Sequence, residues 1–239
     1  MATEATARSK WISMLRWATY GMMFVPIAIT IVAQAVIPPL IVFFVLFIVG
    51  LVLLGRNERK GTIMLGVLAL LFFAINIPFI VDALVHPEAW SEFIPNVIGV
   101  LGAVTALSAV TALLRNKGTE KAAGFLVRTV LVIGVVAIAG SVVMTLGLES
   151  DTAQAGDVTL VAEDVEWDPE QLEVDGGGAV FVENKDLFRH TFTVEDLDIS
   201  EDLGPGQDVR VELSAEPGEY EFVCEVPGHE DMEGTLTVR

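Results

Sequence analysis

Four side chains in the last third of the chain could together bind a transition metal. Cys224, His229 and Met232 follow one another at short spacing, and His190 precedes them in the chain. A thiolate, two imidazoles and a thioether are the ligand set of trigonal copper sites with a weak axial methionine, which serve electron transfer. The types and order of these residues therefore predict one mononuclear copper site.

Few other candidate ligands exist, and this excludes several other metal centres. The chain holds one cysteine and three histidines, and the histidine outside this set is His86. A single cysteine rules out an intrachain disulfide, a Cys-x-x-Cys motif and a dinuclear copper centre bridged by two thiolates. Three histidines are too few for a trinuclear copper cluster, and His86 alone cannot build a bis-histidine haem in the first half of the chain.

The residues after 156 show the alternating pattern of short β-strands. Polar and apolar residues alternate in short runs that are separated by turn sequences rich in Gly, Pro and Asp. The predicted strands are 158–165, 171–174, 179–183, 191–194, 208–213, 219–224 and 235–238. Strands this short and this numerous predict an antiparallel sandwich, with Cys224 at the end of one strand and His190 at the start of another.

Residues 157–239 resemble the plastocyanin/azurin-type cupredoxins, small blue copper proteins that include halocyanin-like and auracyanin-like carriers. The matching elements are the Asp-Pro after Trp167, Glu183-Asn184, His190–Val194, Gly204-Pro-Gly206 and the run Pro217–Val238. The resemblance implies an all-β Greek-key sandwich that holds one type 1 copper ion. It implies that His190, Cys224 and His229 are the equatorial ligands and Met232 the axial one, although the spacing from His229 to Met232 is one residue shorter than in azurin.

The resemblance also implies a route for electrons. In the family, the histidine on the ligand loop has a ring edge at the surface amid apolar residues, so His229 is the expected electron port. The expected apolar rim consists of Leu187, Phe188, Leu203, Pro205 and Pro227, which lie in loops at the copper end. A ring of acids such as Glu225, Glu230 and Asp231 would steer a basic partner, for example a c-type cytochrome.

Charge divides the chain into two parts. Residues 1–148 carry a net charge of +4, whereas residues 149–239 carry a net charge of −22. Dense carboxylates fit either a surface adapted to high salt or steering toward a basic partner. The acids are spread over the whole C-terminal part, which favours the solvated, salt-tolerant surface without excluding steering.

Apolar stretches before residue 149 predict a membrane domain of five helices. Each is close to the roughly 20 residues that a helix needs to cross the hydrocarbon core. The stretches are 17–35, 37–55, 63–85, 94–114 and 125–148. Pro38-Pro39 predicts a hairpin between the first two, because a single long helix would exceed one bilayer.

Basic residues predict the orientation of these helices. Lys and Arg occur before the first stretch, between the second and third, and between the fourth and fifth, and are absent from the other two loops. The positive-inside rule then places the N-terminus in the cytoplasm and the residues after 148 outside. Ala33-Gln34-Ala35 could instead be a signal-peptide cleavage site, which would leave four spans and the same outer position for the C-terminal part.

Polar residues in the third stretch allow two interpretations. Asn76 and Pro78 predict a kinked helix. Asp82 near its outer end is either an interfacial acid within reach of headgroups, which is favoured, or a proton or partner site. His86 lies just beyond it and has no second ligand-type residue nearby, so an ordinary interfacial histidine is favoured.

These observations predict four segments and one function. The segments are a cytoplasmic N-terminus (1–16), a membrane domain (17–148), a linker (149–156) and a cupredoxin domain (157–239). The predicted function is a membrane-tethered blue copper protein that shuttles electrons at the extracytoplasmic face. It is not expected to be an enzyme, because no acid/base set accompanies the metal ligands. Two alternatives remain. The protein could deliver or sense copper, or it could be an accessory subunit of a respiratory or photosynthetic complex.

Overall fold

The computed structural model describes residues 2–32 and 38–239 of the chain. Its contacts divide into two compact units, one of residues 1–85 and 92–140 and the other of residues 86–91 and 141–239. The first unit is helical, and the second contains the β-sheets. The predicted Pro38-Pro39 hairpin and the possible cleavage site at Ala33-Gln34-Ala35 fall wholly or partly outside the described residues.

Within residues 2–32 and 38–145, the structure has six helices. They are α1 (Ala2–Val32), α2 (Pro38–Arg56), α3 (Glu58–Ile75), α4 (Ile77–Val85), α5 (Trp90–Arg115) and α6 (Glu120–Thr145). Helix α1 begins well before the predicted first span, because residues such as Ala, Glu, Lys, Met and Leu favour helix. Trp11 and Leu15 in this extension are buried in the helical core.

Four helices, α1, α2, α5 and α6, are each long and apolar enough to cross a membrane. The predicted third span is broken into α3 and α4, which are bent by 62° at Asn76, and counting this pair as one span raises the number to five. The kink predicted at Asn76 and Pro78 is therefore present as a complete break. The side-chain amide of Asn76 donates to the carbonyl oxygen of Phe72 at 2.7 Å, and Pro78 has no N–H to continue the helical hydrogen bonds.

The β-unit contains nine strands in two sheets. The strands are β1 (Val158–Glu163), β2 (Glu166–Asp168), β3 (Gln171–Val174), β4 (Ala179–Asn184), β5 (His190–Val194), β6 (Ile199–Leu203), β7 (Asp208–Glu212), β8 (Gly218–Val223) and β9 (Glu233–Val238). One sheet has the order β2-β1-β4-β7 and the other β3-β9-β8-β5-β6. The predicted sandwich is confirmed, with two strands, β2 and β6, that the sequence pattern did not predict.

The prediction of a purely antiparallel sandwich is wrong in two places. Strand β1 pairs with β4 in parallel, and β3 pairs with β9 in parallel. A parallel pair needs a crossover rather than a hairpin. The chain supplies it by passing from the first sheet, at β2, to the second sheet, at β3, before it returns to β4.

The core of the sandwich positions the predicted ligands. The rings of Trp167, Phe192 and Phe222 pack against one another with centroids 5.5 to 6.3 Å apart. Strands β5 and β8 are antiparallel neighbours, with Thr193 opposite Val223. The start of β5 and the end of β8 therefore lie side by side at the same end of the sheet.

A glycine permits close packing in the α2–α3 hairpin. Gly61 is buried, and a Cβ added to it would overlap the backbone of Leu54. Gly55, in the same hairpin, has nothing within 4 Å of an added Cβ. Close approach of two helices through a small residue is a common packing mode in membranes.

We predict that Gly61→Ala lowers the thermal stability of the protein in detergent. Overpacking costs about 1–3 kcal/mol, which exceeds the gain of roughly 1 kcal/mol that alanine brings over glycine in a helix. Gly55→Ala is the matched control and should leave the midpoint of thermal unfolding unchanged or raise it. Equal shifts in the two variants would show that α2 and α3 do not depend on this contact.

Candidate metal centre

Three of the four predicted ligands come together in the structure. His190 is the first residue of β5, Cys224 directly follows β8, and His229 lies on the loop that leads to β9. The Cys224 Sγ atom is 3.7 Å from Nδ1 of His190 and 3.6 Å from Nδ1 of His229. The three ligand atoms all lie within 4.8 Å of one another.

These separations fit a bound metal ion. Metal bonds of about 2.0 Å to nitrogen and about 2.3 Å to sulfur, at roughly 120° to each other, place the two ligand atoms about 3.7 Å apart. The observed distances agree with this value. The donor set, a thiolate with two imidazoles, suits copper in a trigonal site.

The three clustered side chains differ in their exposure to solvent. His190 is fully buried, Cys224 is 5% exposed and His229 is 9% exposed. The two imidazole rings are 4.9 Å apart, and the ring of Phe188 lies edge-on to His229 with centroids 6.0 Å apart. Of the three side chains, His229 is therefore the one nearest the solvent.

Met232 closes the ligand loop. Its carbonyl oxygen accepts hydrogen bonds from the backbone N–H of Cys224 at 3.0 Å and from the indole N–H of Trp167 at 3.1 Å. Its side chain is 2% exposed and belongs to the same core cluster as Cys224. These bonds fix both ends of the loop from Cys224 to Met232.

Thr191 fixes the cysteine from the neighbouring strand. Its backbone N–H donates to the Cys224 Sγ atom at 3.4 Å, and its hydroxyl oxygen accepts the N–H of Glu225 at 2.7 Å. Nothing in the sequence distinguishes Thr191 from an ordinary strand residue, so its role was not predicted.

Asp186 fixes the orientation of the His190 ring. The Nε2 atom of His190 lies 2.9 Å from Oδ2 of Asp186. Because the carboxylate also accepts the backbone N–H groups of Asp164 and Val165, it is held in place from the other side. An ionised carboxylate only accepts hydrogen bonds, so Nε2 carries a proton, and Nδ1 is the ring nitrogen that faces Cys224.

Asn184, the last residue of β4, joins the loop before β5 to the end of β6. It is buried, and its side-chain amide lies within hydrogen-bond distance of the carbonyl oxygens of Phe188, Leu203 and Gly204, at 2.8 to 3.1 Å. Its Oδ1 atom accepts the N–H of Asp186 at 2.9 Å. The family motif drew attention to Asn184, but neither its role nor that of Asp186 was predicted.

Hydrogen bonds decide the ionisation of the cluster. Burial raises the pKa of Cys224, but hydrogen bonds with His190 and His229 and from the backbone outweigh burial and lower it to about 6. Burial lowers the pKa of His190, yet its bonds to Asp186 and Cys224 raise it overall. For Asp186, burial raises the pKa and the bonds from His190 and the backbone lower it below its usual value.

The structure contradicts one member of the predicted apolar rim. Leu187 is exposed, and Phe188, Pro205 and Pro227 are half-buried. Leu203 is fully buried, because it lies on β6 opposite His190 and packs into the core. Its predicted place in a surface rim is therefore wrong.

Elsewhere in the described residues, no other group of three His, Cys, Asp or Glu side chains has the spacing of a metal site. His86 belongs to no such group.

We predict that Cys224 of the metal-free protein titrates near pH 6. With a pKa of about 6, compared with 9.0 for an ordinary cysteine, about nine-tenths of the sulfur is thiolate at pH 7. Since the thiolate is the metal ligand, metal affinity should fall as the pH falls through this value. The ultraviolet absorbance of the thiolate measures the titration directly.

His229→Ala should raise this midpoint, because it removes one of the hydrogen bonds that lower the pKa. His86→Ala is the matched control and should leave the midpoint unchanged. A wild-type midpoint near 9, or the same midpoint in His229→Ala, would contradict the prediction.

Part of the chain matches a known protein family. Residues 135–238 match the family described as "cupredoxin-like domain". A search of curated proteins finds no significant match.

Several solved structures are similar to the C-terminal part. The copper-containing nitrite reductase (NirK) from Thermus scotoductus SA-01 is 24% identical, with 38% of this chain and 24% of that chain covered and a TM-score of 0.32. The reduced Cu(I) form of an amicyanin mutant is 18% identical, with 36% and 86% covered and a TM-score of 0.32. A purple cupredoxin from Nitrosopumilus maritimus is 20% identical, with 35% and 100% covered and a TM-score of 0.31.

This chain thus spans only about a quarter of the nitrite reductase. The family match and the clustering of His190, Cys224 and His229 together identify residues 135–238 as a cupredoxin-like domain, a fold that binds copper.

Proposed function

We propose that this protein is a membrane-tethered electron carrier with one type 1 copper ion, exposed at the extracytoplasmic face. The observation that carries the proposal is the buried cluster of Cys224, His190 and His229 in a cupredoxin-like domain. When bound there, copper supplies one-electron redox chemistry, cycling between Cu(II) and Cu(I).

The residues of the site have distinct roles in this proposal. His190, Cys224 and His229 hold the ion in the equatorial plane, and Met232 is its weak axial ligand. Asp186 and Thr191 hold the ring of His190 and the sulfur of Cys224 in place. Ligands fixed in this way cannot rearrange freely when the charge of the ion changes, so the reorganisation that slows electron transfer is small.

Burial favours electron transfer over copper delivery. A site that hands over its metal needs ligands that a partner can reach, whereas His190 is fully buried and Cys224 is 5% exposed. The chain also lacks the histidines for a second copper centre at which a substrate could be reduced. These facts favour a carrier over both an enzyme and a copper-handling protein.

The helices supply the tether in this proposal. The basic loops lie on one side of the predicted spans, and an odd number of crossings puts residues from 157 onward outside. A single span would suffice as an anchor, so the additional helices favour docking to a larger respiratory or photosynthetic complex.

His229 is the proposed electron port. It is the most exposed of the three clustered side chains, and Leu187, Phe188, Pro205 and Pro227 remain the candidates for an apolar rim around it. The acids Glu225, Glu230 and Asp231 on the same loop are all exposed. An apolar contact surface with acidic residues around it favours short-lived binding of a basic redox protein such as a c-type cytochrome.

The proposal is tested by redox titration in oriented membrane vesicles. Copper-loaded protein should be blue through thiolate-to-Cu(II) charge transfer, with one copper per chain. In right-side-out vesicles, the membrane-impermeant couple ferrocyanide and ferricyanide should bleach and restore the colour. In sealed inside-out vesicles the colour should respond only after detergent is added.

Cys224→Ser is the control and should remove the colour, because the thiolate is its source. Copper-loaded wild-type protein without colour would contradict the copper site. Colour that responds only in sealed inside-out vesicles would contradict the orientation and leave the copper site intact.

We also predict that Asp186→Asn weakens copper binding by about 10- to 100-fold, the usual effect of losing a partner that orients a metal-bound histidine. The reduction potential should rise, because removal of a negative charge near the ion destabilises Cu(II) more than Cu(I). Competition with a copper chelator and redox titration measure the two effects.

Asp231→Asn is the matched control. It removes the same charge from an exposed position on the ligand loop, where water screens the charge, so both effects should be smaller. If the two variants behave alike, Asp186 acts through its charge alone and does not position His190.

A further inference from the structure

The helical unit contains a large groove that the copper site does not explain. It has a volume of about 740 Å³, within the range of about 300–1,000 Å³ typical of ligand pockets. Three helices line it, α1, α5 and α6. Small residues on all three helices, including Gly21, Gly102 and Gly134, are among those that line it.

The groove is apolar along most of its length and basic at one end. Apolar side chains such as Ile98, Leu131 and Ile138 form its walls, and the cations Lys10 and Arg128 also line it. Lys10 forms an ion pair with Glu120. Arg128 makes neither an ion pair nor a side-chain hydrogen bond with any residue that the structure describes.

Arg128 lies inside an apolar helix. It is eight residues beyond Glu120, the first residue of α6, but only three residues beyond the start of the predicted span at 125, so its Cα lies about 4.5 Å inside that span at 1.5 Å per residue. A cation at such a position in a membrane span needs a counter-charge or a route to water. From Arg128 the groove continues along α6 to Ile138, a further ~15 Å.

We propose that this groove binds an anionic phospholipid. The phosphate would lie against Arg128, with Lys10 nearby, and an acyl chain would follow the apolar walls toward Ile138. This inference concerns the helical unit and does not depend on the copper site.

The charges argue against two other occupants. A neutral amphiphile would cover the walls but leave Arg128 without a counter-charge. A second copy of this chain would have to bring an acid to the depth of Arg128. The helical half has six acids, Glu4, Glu58, Asp82, Glu88, Glu92 and Glu120, and all but Asp82 lie at helix ends or in loops.

Trp17 reports on the groove, because it lines the groove and is 72% exposed. The full-length protein is placed in phosphatidylcholine bilayers that contain a small fraction of brominated phospholipid, since bromine quenches tryptophan fluorescence on contact. The part of the quenching that Trp17→Phe removes is assigned to Trp17. Brominated phosphatidylglycerol should quench Trp17 more strongly than the same fraction of brominated phosphatidylcholine.

Arg128→Gln should reduce the preference for phosphatidylglycerol about fivefold, which corresponds to roughly 1 kcal/mol for one basic residue near a lipid surface. Lys121→Gln is the matched control, because Lys121 is a basic residue of the same helix that does not line the groove. This variant should keep the preference.

Three outcomes would overturn the proposal. Equal quenching by the two lipids would show ordinary contact with surrounding lipid. Equal loss in both variants would show general attraction to a basic surface. No quenching of Trp17 would show that something other than lipid fills the groove.

Discussion

The approach of the Cys224 sulfur to two imidazoles is the constraint on which the C-terminal domain depends. A thiolate buried to this extent is costly unless hydrogen-bond donors or a metal compensate its charge. The compensating groups come from distant parts of the chain, since His190 starts β5 while His229 follows Cys224 on a loop. Only the pairing of β5 with β8 brings these segments to one end of the sheet, so formation of the sandwich is what creates the site.

The polar groups around the ligands make the site a property of the fold rather than of the metal. Asn184 joins the loop before β5 to the end of β6, Asp186 holds the ring of His190, and Thr191 contacts the sulfur of Cys224. Each interaction satisfies a buried polar group, and a connected set of such groups specifies one arrangement. A cage organised in this way has little freedom to follow the different geometries that the two oxidation states of copper prefer.

Candidate ligands can be named from the sequence because cysteine, histidine and methionine are recognised by residue type and order, whereas the residues that support them are not. Asp186 and Thr191 act through atoms that become neighbours only when loops and strands meet, so residue type alone does not distinguish them from other loop and strand residues. The prediction that Leu203 lies at the surface was wrong for the same reason. No feature of the neighbouring sequence indicated that β6 would pair with β5 and turn this side chain inward. In the helices, by contrast, the break at Asn76 was predictable, because an asparagine and a proline act on their own backbone.

The segment that precedes the sandwich is partly folded into the C-terminal unit. Treated as an extended chain, residues 149–156 reach at most about 30 Å. In the structure this segment is folded against β7: the N–H of Asp151 donates to the carbonyl oxygen of Asp208 at 2.9 Å, and Asp151 accepts the N–H of Arg210 at 2.9 Å. These bonds occupy the outer edge of β7, the last strand of its sheet, which also protects this edge from pairing with other chains. Because these bonds hold Asp151 against β7, the residues around it are part of the folded C-terminal unit, and less of the segment is free to act as an extended linker.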